Sequence, residues 1–223
     1  MFTNNYLKQC LEQHLYGTNK EKEMEKVEHL YSEKEQLGIA HVSKCTISEE
    51  MARFENTRYL FKENGRIMRV SAGTYARLIV DGTLMMSDTD MEQRTNRDFI
   101  ENAKGDVMIA GLGLGFIIYN LRDKIDKNIV RTITVYEKYQ DVIDLILPKF
   151  KGYPLRVVKQ DILEYKPPKE ERYDTIYFDI WPCISYENHD DMVKLHRRWQ
   201  SHKRAGGWMS SWCKDLVYKM YRE

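Results

Sequence analysis

The hydrophobic and polar positions of this chain follow a helical period at its start and other periods further along. In residues 1–57, apolar side chains recur at helical spacing among many lysines and glutamates. Thr18 and Glu21 form a capping box, and Gly38 stands where the helix after them would end. A third short helix is expected from Thr46. We therefore expect a helical N-terminal arm that acts as a cap or in oligomerisation.

Residues 58–92 lose the helical period and are divided by turn residues. Two apolar runs flank Asn64-Gly65, a dipeptide typical of tight hairpins because both residues accept a positive φ. A further run at 75–80 leads through Asp81-Gly82 into another at 83–86. The pattern predicts a small antiparallel β-sheet ahead of the main domain.

From about residue 93, short and continuously apolar runs alternate with helical patterns. Such runs are typical of strands buried on both faces, as in a parallel sheet with helices on each side. The expected fold class is α/β, with a Rossmann-like domain over residues 93–223. Its predicted strands are 107–110, 132–136, 155–158, 175–178 and 207–212.

The last predicted strand is followed by enough residues for one helix, at 215–223. We therefore expect the sheet to stop at five parallel strands. An open edge strand invites pairing with other chains. We expect the terminal helix, the N-terminal arm or a second subunit to cover it, so a homodimer through the N-terminal region or this edge is one expected arrangement.

Composition and charge exclude several classes of protein. Hydrophobic residues make up 42% and charged residues 31%, as in folded rather than disordered chains. The net charge of +1 excludes a uniformly basic nucleic-acid coat. No apolar run is long enough to span a membrane, and no secretory signal is visible, so no membrane partner is expected. Four scattered cysteines without a C-x-x-C pair favour a cytoplasmic location and no metal site.

The near-zero net charge hides a basic C-terminal part. From Lys194 to Glu223, basic residues outnumber acidic ones eight to two. This surface is typical of a phosphate-binding face, or equally of a solvated helix face balanced by an acidic arm. The acceptor of any reaction therefore stays open between a small molecule and a nucleic acid. The basic cluster consists of Lys194, Arg197, Arg198, Lys203 and Arg204.

The first two parallel strands end in residues suited to a nucleotide-like ligand. Strand one runs into Gly111, Gly113 and Gly115, and a strand–glycine–helix turn brings bare backbone close to a ligand. Strand two ends in Glu137, whose carboxylate can accept both hydrogen bonds of a ribose diol. Ligands of open α/β sheets bind at these carboxyl ends.

Two further acids follow strands three and four, and the glycine spacing separates two cofactor classes. A dinucleotide fingerprint needs glycine where this chain has Phe116. The pattern G-x-G-x-G, with Glu137, Asp161 and Asp179, resembles class I S-adenosylmethionine-dependent methyltransferases over about residues 93–213. The resemblance implies S-adenosylmethionine as cofactor, with the glycine turn at its methionine part, Glu137 at the ribose and Asp161 at the adenine amine. The alternative is an α/β domain whose turn acids bind no cofactor.

A closer resemblance, to spermidine synthase and its relatives, includes the small sheet with Asp81-Gly82 and Asp90. In that family an aspartate at the place of Asp179 accepts a proton from the attacking amine, and Asp90 lies on the substrate side. This chain lacks several of the family's side chains that would bind a polyamine and the amine of the cofactor. It resembles instead the small spermidine-synthase-like methyltransferases often carried by phages and prophages. The departures are at Met85, Met91, Arg94, Leu114 and Pro182.

Asp179 is the expected catalytic residue, as a general base or hydrogen-bond acceptor that orients an amine or hydroxyl nucleophile. Trp181 and Pro182 are expected to form an apolar wall on which a planar acceptor stacks. The alternative is that Asp179 caps a turn and Trp181 belongs to the core. Two other functions stay open: aminopropyl transfer, and a non-catalytic cofactor-binding or interaction module.

Overall fold

The computed structural model describes residues 24–58 and 68–222, which form two sheets. The first, called the small sheet, is antiparallel. A 3₁₀ turn at Glu28–Leu30 precedes it, and helix α1 (Glu49–Arg58) follows its second strand. In spatial order its strands are β1 (Lys34–Leu37), β2 (Ala40–Ile47), β3 (Gly73–Val80) and β4 (Thr83–Ser87).

The second sheet has five parallel strands in the order β7-β6-β5-β8-β9. The order reverses between β5 and β8, as in doubly wound folds, so the predicted Rossmann-like α/β fold is confirmed. Its strands are β5 (Gly105–Ala110), β6 (Val130–Glu137), β7 (Leu155–Lys159), β8 (Tyr173–Phe178) and β9 (Lys203–Ser211). The helices around it are α2 (Asp90–Thr95), α3 (Arg97–Asn102), α4 (Phe116–Asn120), α5 (Arg122–Asp126), α6 (Gln140–Ile146), α7 (His189–Trp199) and α8 (Lys214–Arg222).

Central strand β5 supplies side chains to both faces of the parallel sheet. Val107 and Ile109 belong to one buried cluster, whereas Met108 and Ala110 belong to the other. This alternation follows from the two-residue period of a strand. On the second face, Trp199 of α7 is fully buried against aromatic rings of the sheet. The core therefore extends on both sides of β5 and holds its carboxyl end in place.

The helical prediction is wrong for residues 34–47, which form β1 and β2, so the small sheet begins well before residue 58. Gly38 has φ +52° and lies in the turn between these strands. A glycine with positive φ is found in tight turns as well as at helix ends, so the residue alone could not distinguish the two. The side chains of Ala40 and Val42 are buried, which is a two-residue period that the surrounding charged residues obscured.

The third predicted helix exists as α1, with its cap two residues later than expected. The Oγ of Ser48, rather than Thr46, accepts the backbone N–H of Met51 at 3.1 Å. The first of the two helices expected before residue 38 lies outside the described residues, as does the turn at Asn64-Gly65. The second is wrong in its described part, where residues 24–37 hold only the 3₁₀ turn Glu28–Leu30 and β1. The C-terminal helix expected from residue 215 is confirmed as α8.

Helix α8 contacts α7 and the 3₁₀ turn Tyr186–Asn188. At the β9 edge of the parallel sheet, residues 207–210 are partly exposed. A homodimer through this edge or the N-terminal region stays a prediction. Among the described helices, none has the length and apolar character needed to cross a membrane.

A buried carboxylate joins the entry segment of the chain to the small sheet. Asp88 is 0% exposed and accepts backbone N–H groups from Val27, Glu28 and Ala76 at 2.7–2.8 Å. Its two oxygens thereby satisfy three donors, two of which are buried. The segment that precedes β1 is thus fixed against β3.

We expect Asp88→Ala to lower the free energy of unfolding by about 2–3 kcal/mol, because buried N–H donors lose their acceptor. Urea unfolding measures this effect. The matched control is Asp98→Ala, at an exposed aspartate of α3, for which we expect a much smaller change. Equal midpoints for the two variants would contradict the role given to Asp88.

Candidate functional site

A cavity of about 400 Å³ lies where the carboxyl ends of the parallel strands meet the β3–β4 hairpin. Its volume falls in the range of about 300–1,000 Å³ that is usual for small-molecule sites. Strand β4 supplies Met85 and Met86 to its wall. The structure brings seven of the predicted site residues together in this cavity: Gly111, Gly113, Glu137, Asp161, Asp179, Trp181 and Pro182.

The glycine turn after β5 is packed so closely that side chains are excluded. A Cβ on Gly111, which has φ +96°, would lie 2.1 Å from the carbonyl oxygen of Asp179. A Cβ on Gly113 would lie 2.2 Å from the Sδ of Met86. Gly115 meets the ring of Phe150 instead and is not among the residues that line the cavity. Two of the three glycines therefore shape the cavity, and the third permits packing behind it.

Glu137 connects the turns that follow β5 and β6. It is 6% exposed and accepts backbone N–H groups from Leu112 at 2.9 Å and Tyr139 at 2.8 Å. Burial raises the pKa of this carboxyl, and the N–H donors oppose that effect. The backbone N–H of Lys138 is a third donor to this carboxyl. Because the two carboxylate oxygens together offer about four lone-pair positions, the three donors leave room for a ligand hydroxyl.

Asp161 lies on the far side of the cavity, beyond β7. Its Oδ1 accepts the backbone N–H of Leu163 at 3.0 Å, and its Oδ2 is 3.1 Å from the Nζ of Lys138. The hydrogen bond to Asp161 raises the pKa of the Lys138 ammonium. Lys138 also lines the cavity and is the one lysine among its described lining residues, so that lysine is paired with a carboxylate.

Asp179 follows β8 and is held by its backbone N–H, which donates to the carbonyl of Ala110 at 2.9 Å. Its side chain is partly buried and faces the cavity, and burial raises its pKa to about 7. A second carboxyl, Glu92 from α2, lines the same cavity and is 5% exposed. Burial and then the charge of Asp179 raise the pKa of Glu92. Glu92 and Asp179 are therefore neighbouring carboxyls within the cavity.

The remaining predicted residues divide between the cavity and its surroundings. Trp181 is 8% exposed, and within the described residues its indole N–H has no hydrogen-bond partner. Asp90 is not among the residues that line the cavity. It accepts the backbone N–H of Ser71 and the hydroxyl of Tyr75, so it anchors the chain before β3.

Neither a protein-family model nor a curated protein matches the chain. Solved structures of methyltransferases match part of it. An S-adenosylmethionine-dependent enzyme from Clostridium acetobutylicum is 19% identical over 50% of this chain and 44% of its own, with a TM-score of 0.37. One from Leishmania major is 18% identical over 56% and 57%, with a TM-score of 0.40.

The third structure, a Podospora anserina methyltransferase with bound S-adenosylhomocysteine, is 15% identical over 57% of this chain and 53% of its own, with a TM-score of 0.43. The match thus spans about half the length of each of these proteins. At these identities and TM-scores the likeness assigns no activity to this chain. Its activity has to be inferred from its own residues.

Two of the basic residues that suggested a phosphate-binding face are used inside the fold. The guanidinium of Arg198 donates to the carbonyls of Ile162, Leu163 and Tyr165 at 2.8–3.0 Å. Arg204 binds Asp106 and Asp174 at the opposite end of the sheet from the cavity. The five-residue basic cluster therefore does not act as one free surface.

Glu92 is the acidic residue of the cavity that the sequence pattern did not single out. It follows no strand and sits on a short helix among other polar residues, so the rule of strand ends could not find it. One weak signal exists, since Glu92 and Asn96 are four residues apart and therefore share a helix face. Only the packing of α2 against the strand ends brings Glu92 to Asp179.

Proposed function

We propose that this protein is an S-adenosylmethionine-dependent methyltransferase that methylates an amine or hydroxyl acceptor, with Asp179 on the acceptor side. The observation that carries the proposal is the meeting of the glycine turn, Glu137, Asp161 and Asp179 in one cavity at the switch point of the sheet. Any one of these features is common, and their convergence on one cavity is what favours the proposal.

The residues present fit the cofactor. The backbone of Gly111 and Gly113 lines the cavity without side chains and would lie against the methionine part of the cofactor. Glu137 would accept a hydrogen bond from the ribose, and Asp161 would accept one from the adenine amine. When bound, the cofactor supplies a methyl group activated by its positive sulfur.

Asp179 would orient the nucleophile and accept its proton. A general base works best when its pKa lies near the working pH, and burial brings the pKa of Asp179 to about 7. Trp181 and Pro182 line the adjacent wall, where they would exclude water and present an aromatic surface to the acceptor.

The charges of the cavity support an amine rather than a phosphate-bearing acceptor. Among the described residues, its lining includes four acidic residues besides Glu92, whereas its one lysine, Lys138, is paired with Asp161. Like charges facing each other oppose binding, so an anionic acceptor would be disfavoured. These four acidic residues are Asp81, Glu137, Asp161 and Asp179.

The spermidine-synthase-like layout is part of the proposal. The small sheet ahead of the domain supports it, and its hairpin covers the cavity. Aminopropyl transfer is the second candidate because the same carboxyl could accept a proton from either kind of amine reaction. The methionines at 85 and 86, which line the cavity where a polyamine would need carboxylates, favour methyl transfer.

The test is incubation of the purified protein with methyl-labelled S-adenosylmethionine and a panel of small amines, phenols and nucleic acids. We expect label to enter an amine. A parallel reaction with decarboxylated cofactor and putrescine tests aminopropyl transfer. Label transfer to none of the acceptors, or product only in the parallel reaction, would contradict the proposal.

A further inference from the structure

Glu92 and Asp179 reach one cavity from different elements, α2 and the end of β8, and their charges are not compensated. Among the described residues, the structure gives neither carboxyl an ion-pair partner within 4.0 Å, whereas Asp161 in the same cavity has Lys138. Two carboxyls that line one cavity without a cation cannot both ionise at low cost, because each charge opposes the other. One proton therefore has to be held between them near neutral pH.

The hydrogen bonds that reach the Glu92 carboxyl come from uncharged donors. The Nδ2 of Asn96 donates to Glu92 Oε2 at 3.1 Å and to the Glu92 carbonyl at 3.2 Å. The Oδ1 of Asn96 accepts the hydroxyl of Tyr177 at 2.9 Å. Because both neighbours of Nδ2 are acceptors, the amide has one workable orientation. Oε2 of Glu92 therefore accepts from this amide, and the indole of Trp212 is a second uncharged donor to the same carboxyl.

The other titratable groups that face the pair are uncharged. Tyr177 comes from β8 and Cys213 follows β9, and burial raises the pKa of each above its ordinary value. Neither can supply a positive charge. Of the two carboxyls, Glu92 is the more buried, at 5% exposed, while Asp179 is partly exposed. The cost of ionisation is thus greater for Glu92, which makes it the residue that holds the proton.

We propose that Glu92 is kept as a neutral carboxylic acid whose hydroxyl group is a hydrogen-bond donor beside the carboxylate of Asp179. The inference rests on the proposed function, since it is Asp179 that would act on the acceptor. Glu92 is a positioning residue in this account. A carboxylic acid kept neutral by an apolar site is a known way to place a hydrogen-bond donor in a protein.

The first test needs no turnover and uses infrared spectroscopy of the whole protein. At about pH 8, where ordinary carboxyl groups are ionised, the wild type should show a protonated carboxyl band. The band should be missing from Glu92→Gln and present in Glu101→Gln, the control at an exposed glutamate. A spectrum without a band that depends on Glu92 would overturn the inference, whatever the protein transfers.

The second test compares a variant that keeps the donor with one that removes it. Gln imitates a protonated Glu, so Glu92→Gln should keep kcat within about threefold and the same pH profile. Glu92→Leu should lower kcat by about 10²-fold, the usual effect of a misplaced catalytic group. Equal losses in the two variants would contradict a neutral Glu92. If Glu92→Leu does not fold, the infrared band and the Gln variant decide.

Discussion

Asp179→Asn is expected to lower kcat by about 10²–10⁴-fold, the range that general acid–base catalysis contributes. Asparagine has the shape of aspartate and can still accept a hydrogen bond, but it cannot take a proton from the nucleophile. We therefore expect the affinity for S-adenosylhomocysteine to stay near that of the wild type. Steady-state kinetics and a titration with this product measure the two effects separately.

The pH dependence supplies a second readout for the same residue. The carboxyl must be ionised to accept a proton, so the rate of the wild type should rise as the pH increases through about 7. Asp144→Asn, at an exposed aspartate of α6, is the matched control and should keep both kcat and the pH profile. An Asp179→Asn variant with the kcat of the wild type would exclude Asp179 as the base.

As the pH rises through about 7, the stability of the wild type should fall while its activity rises. The pKa of Asp179 is raised in the folded protein, so its contribution to stability is fully present below its unfolded value and is lost as the pH rises through about 7. Above that pH, Asp179→Asn removes a buried charge. Thermal unfolding at about pH 8 should therefore show a variant at least as stable as the wild type, which excludes misfolding as the cause of low activity.

Gly111→Ala is expected to have the largest effect on folding, a loss of about 4 kcal/mol. The backbone of Gly111 has φ +96°, which a side chain rarely adopts, at a cost of about 1–3 kcal/mol. The new Cβ would also lie 2.1 Å from the Asp179 carbonyl oxygen, and overpacking adds about 1–3 kcal/mol. Denaturant unfolding measures the sum.

Gly152→Ala separates the two causes. Gly152 has φ +90°, close to that of Gly111, but no heavy atom lies within 4 Å of a Cβ built there. Its substitution should therefore cost only the backbone strain. If both alanine variants lose the same stability, the close approach of the glycine turn to Asp179 does not contribute, and the packing described for the turn is wrong.

Much of the fold and of the cavity follows from the sequence because parallel strands bring their carboxyl ends to one edge. Once β5, β6 and β8 are recognised as strands, the glycine turn, Glu137 and Asp179 have to converge there. The continuous apolar run of β5 is the strongest signal, since its residues from 107 to 110 are fully buried. No detail of side-chain packing is needed for this inference.

The rest depends on contacts that local patterns do not encode. Residues 34–47 form strands because β2 pairs with β3, a partner about 35 residues away along the chain. Glu92 reaches the cavity only through the packing of α2, and Arg198 is used by carbonyls of a distant loop. Charge and period in one segment could not reveal these partners.

The central claim is that the cavity binds S-adenosylmethionine with Glu137 at the ribose. Calorimetric titration with S-adenosylhomocysteine tests it most directly, with Glu137→Ala as the test variant and Glu164→Ala, at an exposed glutamate, as control. We predict that the wild type and the control bind with equal affinity, and that Glu137→Ala binds about 10–100-fold more weakly, as expected for lost hydrogen bonds to a charged group. No binding by the wild type, or unchanged binding by Glu137→Ala, would contradict the account.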